Sequence, residues 1–354
     1  MSTTRSTTCE LSELAGPAVD VAYDVSGRRM ATCAATSSGA CVIQVHECSS
    51  GPEAWAQVAA WETDFQVSQL AWAHPEFGRV LAGATAAGSV LVWGQVPDLG
   101  PGPGQAGAQG GGGAEDAGTG GGGGGSGSGG GGGCFYQLLA ELVCGTSPCR
   151  SLCFAPRQAG LVLACLLEEG HVVVHEAEEV LLPRAWSLHS KIRAGPAGEC
   201  RGLCWRPFTP GVPPMLCVGG GLQALVWQFV MALNSWQLVA RAETGNGQPV
   251  SSVAWAPPLG RPSELLAAGA GRDLLLWSLA GDSAALAVSP LAAMEHEAPV
   301  WRVDWDLWGN QIAAATEGQS VFVYKPDLVG AWTRVAWVQG QPPPEEGSEG
   351  EGQE

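Results

Sequence analysis

The sequence has no long apolar run. Its longest, Leu161 to Leu167, is of strand length, and nothing approaches the ~18 apolar residues a membrane-crossing helix needs. It has no basic excess. Asp and Glu number 34 against 17 Lys and Arg, a net charge of −17, and without the five acids of residues 341–354 the balance is still 29 against 17. Phosphate binding requires a basic face, so direct contact with nucleic acid is not expected, and an anionic membrane surface is disfavoured for the same reason. The opening MSTTRSTTCELSELAG has no apolar core run, so neither a secretory signal nor membrane insertion is expected. Catalytic grammar is missing too. There is no nucleophile elbow and no H-E-x-x-H, and the paired glutamates fall in tails and turns, so an enzyme is not expected and no cofactor is implied.

What the sequence does have is repetition. The stretch Val300 to Lys325, VWRVDWDLWGNQIAAATEGQSVFVYK, alternates apolar residues, turns at Gly309-Asn310, runs through Ile312 to Ala315, turns again at Glu317-Gly318 and closes on Val321, Val323 and Tyr324. That pattern predicts three short strands joined by tight turns. Three antiparallel strands cannot bury both faces alone, so the unit must pack against copies of itself.

The copies are marked by an aromatic at Tyr23, Trp72, Phe154, Trp205, Trp255 and Trp305, spaced 49, 82, 51, 50 and 50 residues apart. A low-complexity insertion accounts for the 82. Two residues before each marker lie Val21, Leu70, Leu152, Leu203, Val253 and Val303, all apolar; three before lie Asp20, Gln69, Ser151, Gly202, Ser252 and Arg302, none a large apolar residue. A second aromatic slot closes each third strand at His46, Trp93, His175, Trp227, Trp277 and Tyr324. A third opens an outer strand at Trp55, Phe135, Trp186, Trp236 and Trp332, while Ala284 to Val288 is the expected outer strand of the fifth copy. Eleven of the 15 tryptophans occupy repeat positions, which favours an all-β propeller of six four-stranded blades over a β-sandwich with scattered aromatics.

The expected organisation is a flexible N-terminus at 1–16, the propeller at 17–338 with a Gly-rich insertion at 94–133 inside blade two, and an acidic tail at 339–354. The run from Gly118 to Gly133 is nearly all glycine and carries no phosphate-loop grammar. The 12 cysteines do not read as a disulfide framework. Cys149 and Cys153 sit five and one residues before Phe154, and Cys200 and Cys204 stand likewise before Trp205, where other copies place Ala or Val. Cysteine there acts as a small hydrophobe, in a reducing compartment. No C-x-x-C pair exists, so zinc is not expected. His171 and His175 are four apart on a strand, roughly 13 Å, which argues against a shared metal and for His175 as a packed core residue.

At GRRMATC (27–33), WAHPEFGRVLA (72–82), FAPRQAGLVLA (154–164), WSL (186–188), APPLGR (256–261) and VWRVDW (300–305) the chain resembles the Sec-thirteen-homologue nucleoporins. These are WD-repeat scaffolds of the Y-shaped outer-ring complex of the nuclear pore. The matching segments span every blade but the fourth. The sequence departs from the family pattern in its turns, where Asp-Gly is reduced to Ala87-Gly88, Glu169-Gly170 and Glu317-Gly318, and no third strand ends on Trp-Asp.

The resemblance implies a non-enzymatic scaffold at the nuclear envelope that supports protein and mRNA transport. It implies a ring left open between first and last blades, and a helical scaffold nucleoporin that donates a seventh blade in trans. Other outer-ring nucleoporins are further implied partners, and a nutrient-signalling coat at the lysosomal or vacuolar surface is a second implied home. The expected seam residues are Val19, Val21, Tyr23, Trp301 and Val303. The alternative is an adaptor that reads a peptide or modified protein on the top face of the propeller.

Overall fold

The computed structural model describes residues 16–36, 39–48, 55–96, 135–258, 260–281 and 286–340. The expected flexible N-terminus, Gly-rich insertion and acidic tail lie outside these residues, apart from Gly16, 94–96 and 339–340. Those five positions beyond Gly16 belong to or border strands, because two outer-blade ladders run further than their aromatic markers indicate.

Among the described residues, 24 strands fall into six antiparallel sheets of four, the blades of a β-propeller fold. Blade one comprises β1 (Ala18–Tyr23), β2 (Arg29–Ala35), β3 (Cys41–Cys48) and β4 (Trp55–Thr63). Blade two comprises β5 (Val67–Trp72), β6 (Val80–Thr85), β7 (Ser89–Val96) and β8 (Phe135–Val143). Blade three comprises β9 (Cys149–Phe154), β10 (Val162–Leu167), β11 (His171–Ala177) and β12 (Trp186–Arg193). Blade four comprises β13 (Cys200–Trp205), β14 (Met215–Gly220), β15 (Gln223–Val230) and β16 (Ser235–Glu243). Blade five comprises β17 (Val250–Trp255), β18 (Glu264–Ala270), β19 (Asp273–Ala280) and β20 (Ala287–Glu295). Blade six comprises β21 (Val300–Trp305), β22 (Ile312–Thr316), β23 (Ser320–Pro326) and β24 (Trp332–Gln339). Of the outer strand expected for blade five, positions 284 and 285 lie outside the described residues; β20 begins at Ala287 and runs on to Glu295, past Val288.

The chain divides into two compact units. One, Thr7–Cys200, holds blades one to three; the other, from Arg201 onward, holds blades four to six. In the first unit, Ile43, Val45, Leu70, Leu81 and Trp93 pack blade one on blade two. Val90, Val92, Leu152, Leu163 and Leu167 pack blade two on blade three. In the second unit, Val226, Trp255, Leu266 and Trp277 join blades four and five, and Leu276, Val303, Ile312 and Tyr324 join blades five and six. Each blade is too thin to bury its own faces, so its neighbour completes them.

The repeat positions acquire physical roles. The residue three before the marker is polar because its side chain holds the next blade's backbone. The Leu70 N–H donates to Asp20 Oδ2 at 2.8 Å, the Leu152 N–H to Gln69 Oε1 at 2.8 Å, and the Val303 N–H to Ser252 Oγ at 3.3 Å. Gly202 breaks the series for lack of room, since a Cβ there would stand 2.8 Å from Val253 N. The marker tryptophans reach back along the same junctions. Trp72 Nε1–H donates to the Ala22 carbonyl and Trp305 Nε1–H to the Ala254 carbonyl, each at 3.1 Å.

The weakened turns work by two routes. Gly88 and Gly170 take the left-handed conformation in their turns (φ +88° and +84°), as an Asp-Gly glycine would. In the third turn it is Gln319, not Gly318, that carries the positive φ, at +58°. Thr316 Oγ1 bridges that turn by donating to the Ser320 carbonyl at 3.1 Å. His175 lies on β11 and is buried, and burial pulls its pKa below the ordinary imidazole value.

Candidate functional site

β1 is an edge strand of its sheet, hydrogen-bonded only to β2 within the blade. In the other five blades the position two before the marker is core: Leu70, Leu152, Leu203, Val253 and Val303 are each no more than 6% exposed. Val21, their equivalent in blade one, is 37% exposed. The position five before the marker behaves the same way. Val67, Cys149, Cys200, Val250 and Val300 are buried, while Ala18 is exposed. Val19 and Tyr23 are exposed as well, so β1 presents a row of apolar side chains that sequence period alone would assign to a core.

The backbone of β1 follows suit. Val21 pairs with Thr32 in the register by which Leu70 pairs with Gly83 and Val303 with Ala314. In those two blades the N–H of that residue points off the edge of its own sheet, to Asp20 and Ser252 respectively. The shared register aims the Val21 N–H off the edge of β1 in the same way. An apolar row beside an outward-pointing backbone donor is the chemistry of β-strand addition.

The five expected seam residues divide. Val19, Val21 and Tyr23 line this exposed row on β1, with the Tyr23 ring edge-on to Trp55 at 5.8 Å. Trp301, on β21, is half exposed. Val303, two residues on, is buried in the core that joins blades five and six, and its N–H is held by Ser252. Sequence reasoning missed Asp20, which is buried and carries the blade-one to blade-two junction. Its signal was present: it is the first of the polar residues standing three before each marker.

Two further clusters have chemical character. Arg206 and Glu264 form an ion pair, with Arg206 Nε donating to Glu264 Oε2 at 2.7 Å and Nη2 donating to Oε1; Trp255 Nε1–H donates to Oε2 at 2.9 Å. The sulfurs of Cys144, Cys149 and Cys165 lie within 4.8 Å of one another, all buried. Hydrogen bonds from Cys144 and then Cys165 favour the Cys149 thiolate and draw its pKa down to about 4, while the other two thiols are pushed up. None of the described cysteines is in a disulfide. No nucleophile, base and orienting group converge among the described residues in the arrangement hydrolytic catalysis requires.

Comparison with known proteins agrees with the repeat reading. No family model matches the chain. "Nucleoporin SEH1" of Danio rerio is 27% identical over 348 residues, covering 94% of this chain and 86% of the relative. The Homo sapiens protein of the same name is 28% identical over 352 residues, with 94% and 88% covered. That of Xenopus tropicalis is 26% identical over 340 residues, with 91% and 85% covered. Among solved structures, a chain of the mitotic checkpoint complex superposes with a TM-score of 0.53 at 15% identity over 84% of this chain and 74% of that one, a likeness of fold. Six repeats, the propeller sheets and similarity along nearly the whole chain together support a Seh1-type WD-repeat nucleoporin.

Proposed function

We propose that the chain is a non-catalytic scaffold of the nuclear pore that accepts a β-rich arm of a helical partner nucleoporin along the edge of β1, as an added blade. The scaffold role and the pore location rest on the nucleoporin relatives. The β1 reading rests on one observation: Val21 is exposed where its five counterparts are core. An incoming strand would satisfy the Val21 N–H and cover the exposed parts of Val19, Val21 and Tyr23, contributing on the order of 2–3 kcal/mol from apolar area alone. Protein and mRNA transport follow as consequences of membership in the pore, alongside other outer-ring nucleoporins. A partner from a nutrient-signalling coat would use the same edge. A top-face peptide reader would instead need a pocket with convergent polar groups, and β1 offers an edge.

The test is co-expression with helical scaffold nucleoporins that carry a short β-rich arm. One-to-one capture is expected from the native chain. Val21→Pro removes the outward donor and sets a ring where the incoming strand would pair; loss of the ~1 kcal/mol hydrogen bond together with that obstruction should lower capture by about tenfold or more. Since Val21 is not a core residue, the chain's own thermal midpoint should move by only a few degrees. Undiminished capture by the proline variant would sink the β1 reading, as would a native chain that binds no armed nucleoporin.

A further inference from the structure

We propose that Cys144, Cys149 and Cys165 form a three-thiolate site for one soft, thiophilic d10 cation, zinc or copper(I), buried where blade two meets blade three. The spacing C-x4-C…x15-C has no close pair, and the fold supplies the closeness instead. Cys144 follows the outer strand β8; the loop Cys144–Cys149 carries the chain to the first residue of β9; β10 runs beside β9 and brings Cys165 back. Two strands and the loop between β8 and β9 thus bring their sulfurs together, with every pair of sulfurs within 4.8 Å.

A metal–sulfur bond of ~2.3 Å in a trigonal array sets the sulfurs about 4 Å apart. Rotamer adjustments of less than an ångström would close the set. The backbone around it is already constrained. Both the Cys144 and Gly145 N–H groups donate to the Gly88 carbonyl, at 3.0 and 3.1 Å. The approach is tight enough that a Cβ on Gly88 would stand 2.5 Å from the Gly145 carbonyl oxygen. The Cys149 thiol points at the Ser89 carbonyl at 3.5 Å, and Cys144's at the Leu142 carbonyl at 3.5 Å. The surrounding walls are Val90, Val92, Leu142, Leu163 and Leu167.

The donor set selects the ion. Three thiols with no carboxylate exclude the hard cations, which require oxygen ligands, and favour zinc or copper(I). The loaded site holds three thiolates, with the protons still carried by the thiols released, leaving a net charge of −1 with zinc or −2 with copper(I). Core packing alone would account for three small apolar side chains, but it would not require their sulfurs to converge.

The experiment uses the full chain expressed in medium supplemented with zinc, copper or cadmium and purified with reductant, so that the ion is present as the site folds. Metal content is read per folded chain, and cadmium adds a thiolate-to-metal charge-transfer band in the ultraviolet. The expected result is close to one equivalent of zinc or copper, a charge-transfer band with cadmium, and loss of both in Cys149→Ser and Cys165→Ser. Cys217→Ala, in blade four, should retain them. Folded native chain carrying less than a tenth of an equivalent of each metal would overturn the proposal even if the serine variants fail to fold. Metal content unchanged in folded Cys149→Ser would overturn it equally.

Discussion

Replacing Glu264 by Ala should destabilise the second unit by about 3–4 kcal/mol. Glu264 opens β18 and accepts three hydrogen bonds, two from the Arg206 guanidinium and one from the Trp255 indole. The Arg206 side chain is only 7% exposed and that of Glu264 25%. Removing one partner of a buried pair costs ~3–5 kcal/mol, because the remaining charge is left without compensation. Partial exposure of the carboxylate admits water and lowers that figure, while the orphaned indole N–H adds about 1 kcal/mol. For a unit of this size each kcal/mol shifts the melting temperature by ~2–4 °C, so a fall of roughly 10 °C is expected by circular dichroism. The double replacement Arg206→Met with Glu264→Met should cost less than Glu264→Ala, because apolar side chains of similar volume remove the stranded charge. Glu264→Gln should fall between, since the amide oxygen still accepts from the indole. The reasoning is refuted if Glu264→Ala costs under 1 kcal/mol, or if the double variant is no better than the single one.

Two further predictions concern the insertion and pH. Val96 and Phe135 pair directly across the β7–β8 ladder, so the hairpin needs no long connection. Replacing residues 97–134 by about five Gly and Ser residues shortens the loop by roughly three halvings and should stabilise the chain by up to ~2 kcal/mol; a lower melting temperature would show that the segment packs. Burial lowers the pKa values of His46, His175 and His296. The unfolded chain therefore binds more protons than the folded one just below the ordinary imidazole value. Stability is full above about pH 6.5 and is lost as pH falls toward the folded values. Melting temperatures followed from pH 7.5 to about 5 should decline, and His175→Phe, which keeps an aromatic in that slot, should flatten part of the decline. An unchanged slope in that variant would remove His175 from the account.

The blade count was legible in sequence because a tryptophan is too large to misplace. Trp72 and Trp305 each reach a backbone carbonyl of the preceding blade, and a side chain of that size has few other places to pack. The polar residues at Asp20, Gln69 and Ser252 were visible as a phase for the same reason. Blade five's outer strand runs to Glu295, well past the expected end at Val288, because it opens at Ala287 with no aromatic to set its bounds. That Gln319, not Gly318, takes the left-handed conformation is not visible from the Glu317-Gly318 dipeptide.

Other features were decided only by tertiary structure. Val21 and Val303 occupy the same repeat position and are both valine, yet one is exposed and the other is core. Nothing local distinguishes them; burial depends on what lies beside each strand. Cys144, Cys149 and Cys165 likewise read as isolated small hydrophobes, since metal-site spacing assumes ligands close along the chain. Sequence periodicity determines which way a side chain points from its own strand, and the packing of neighbouring blades determines what it meets there.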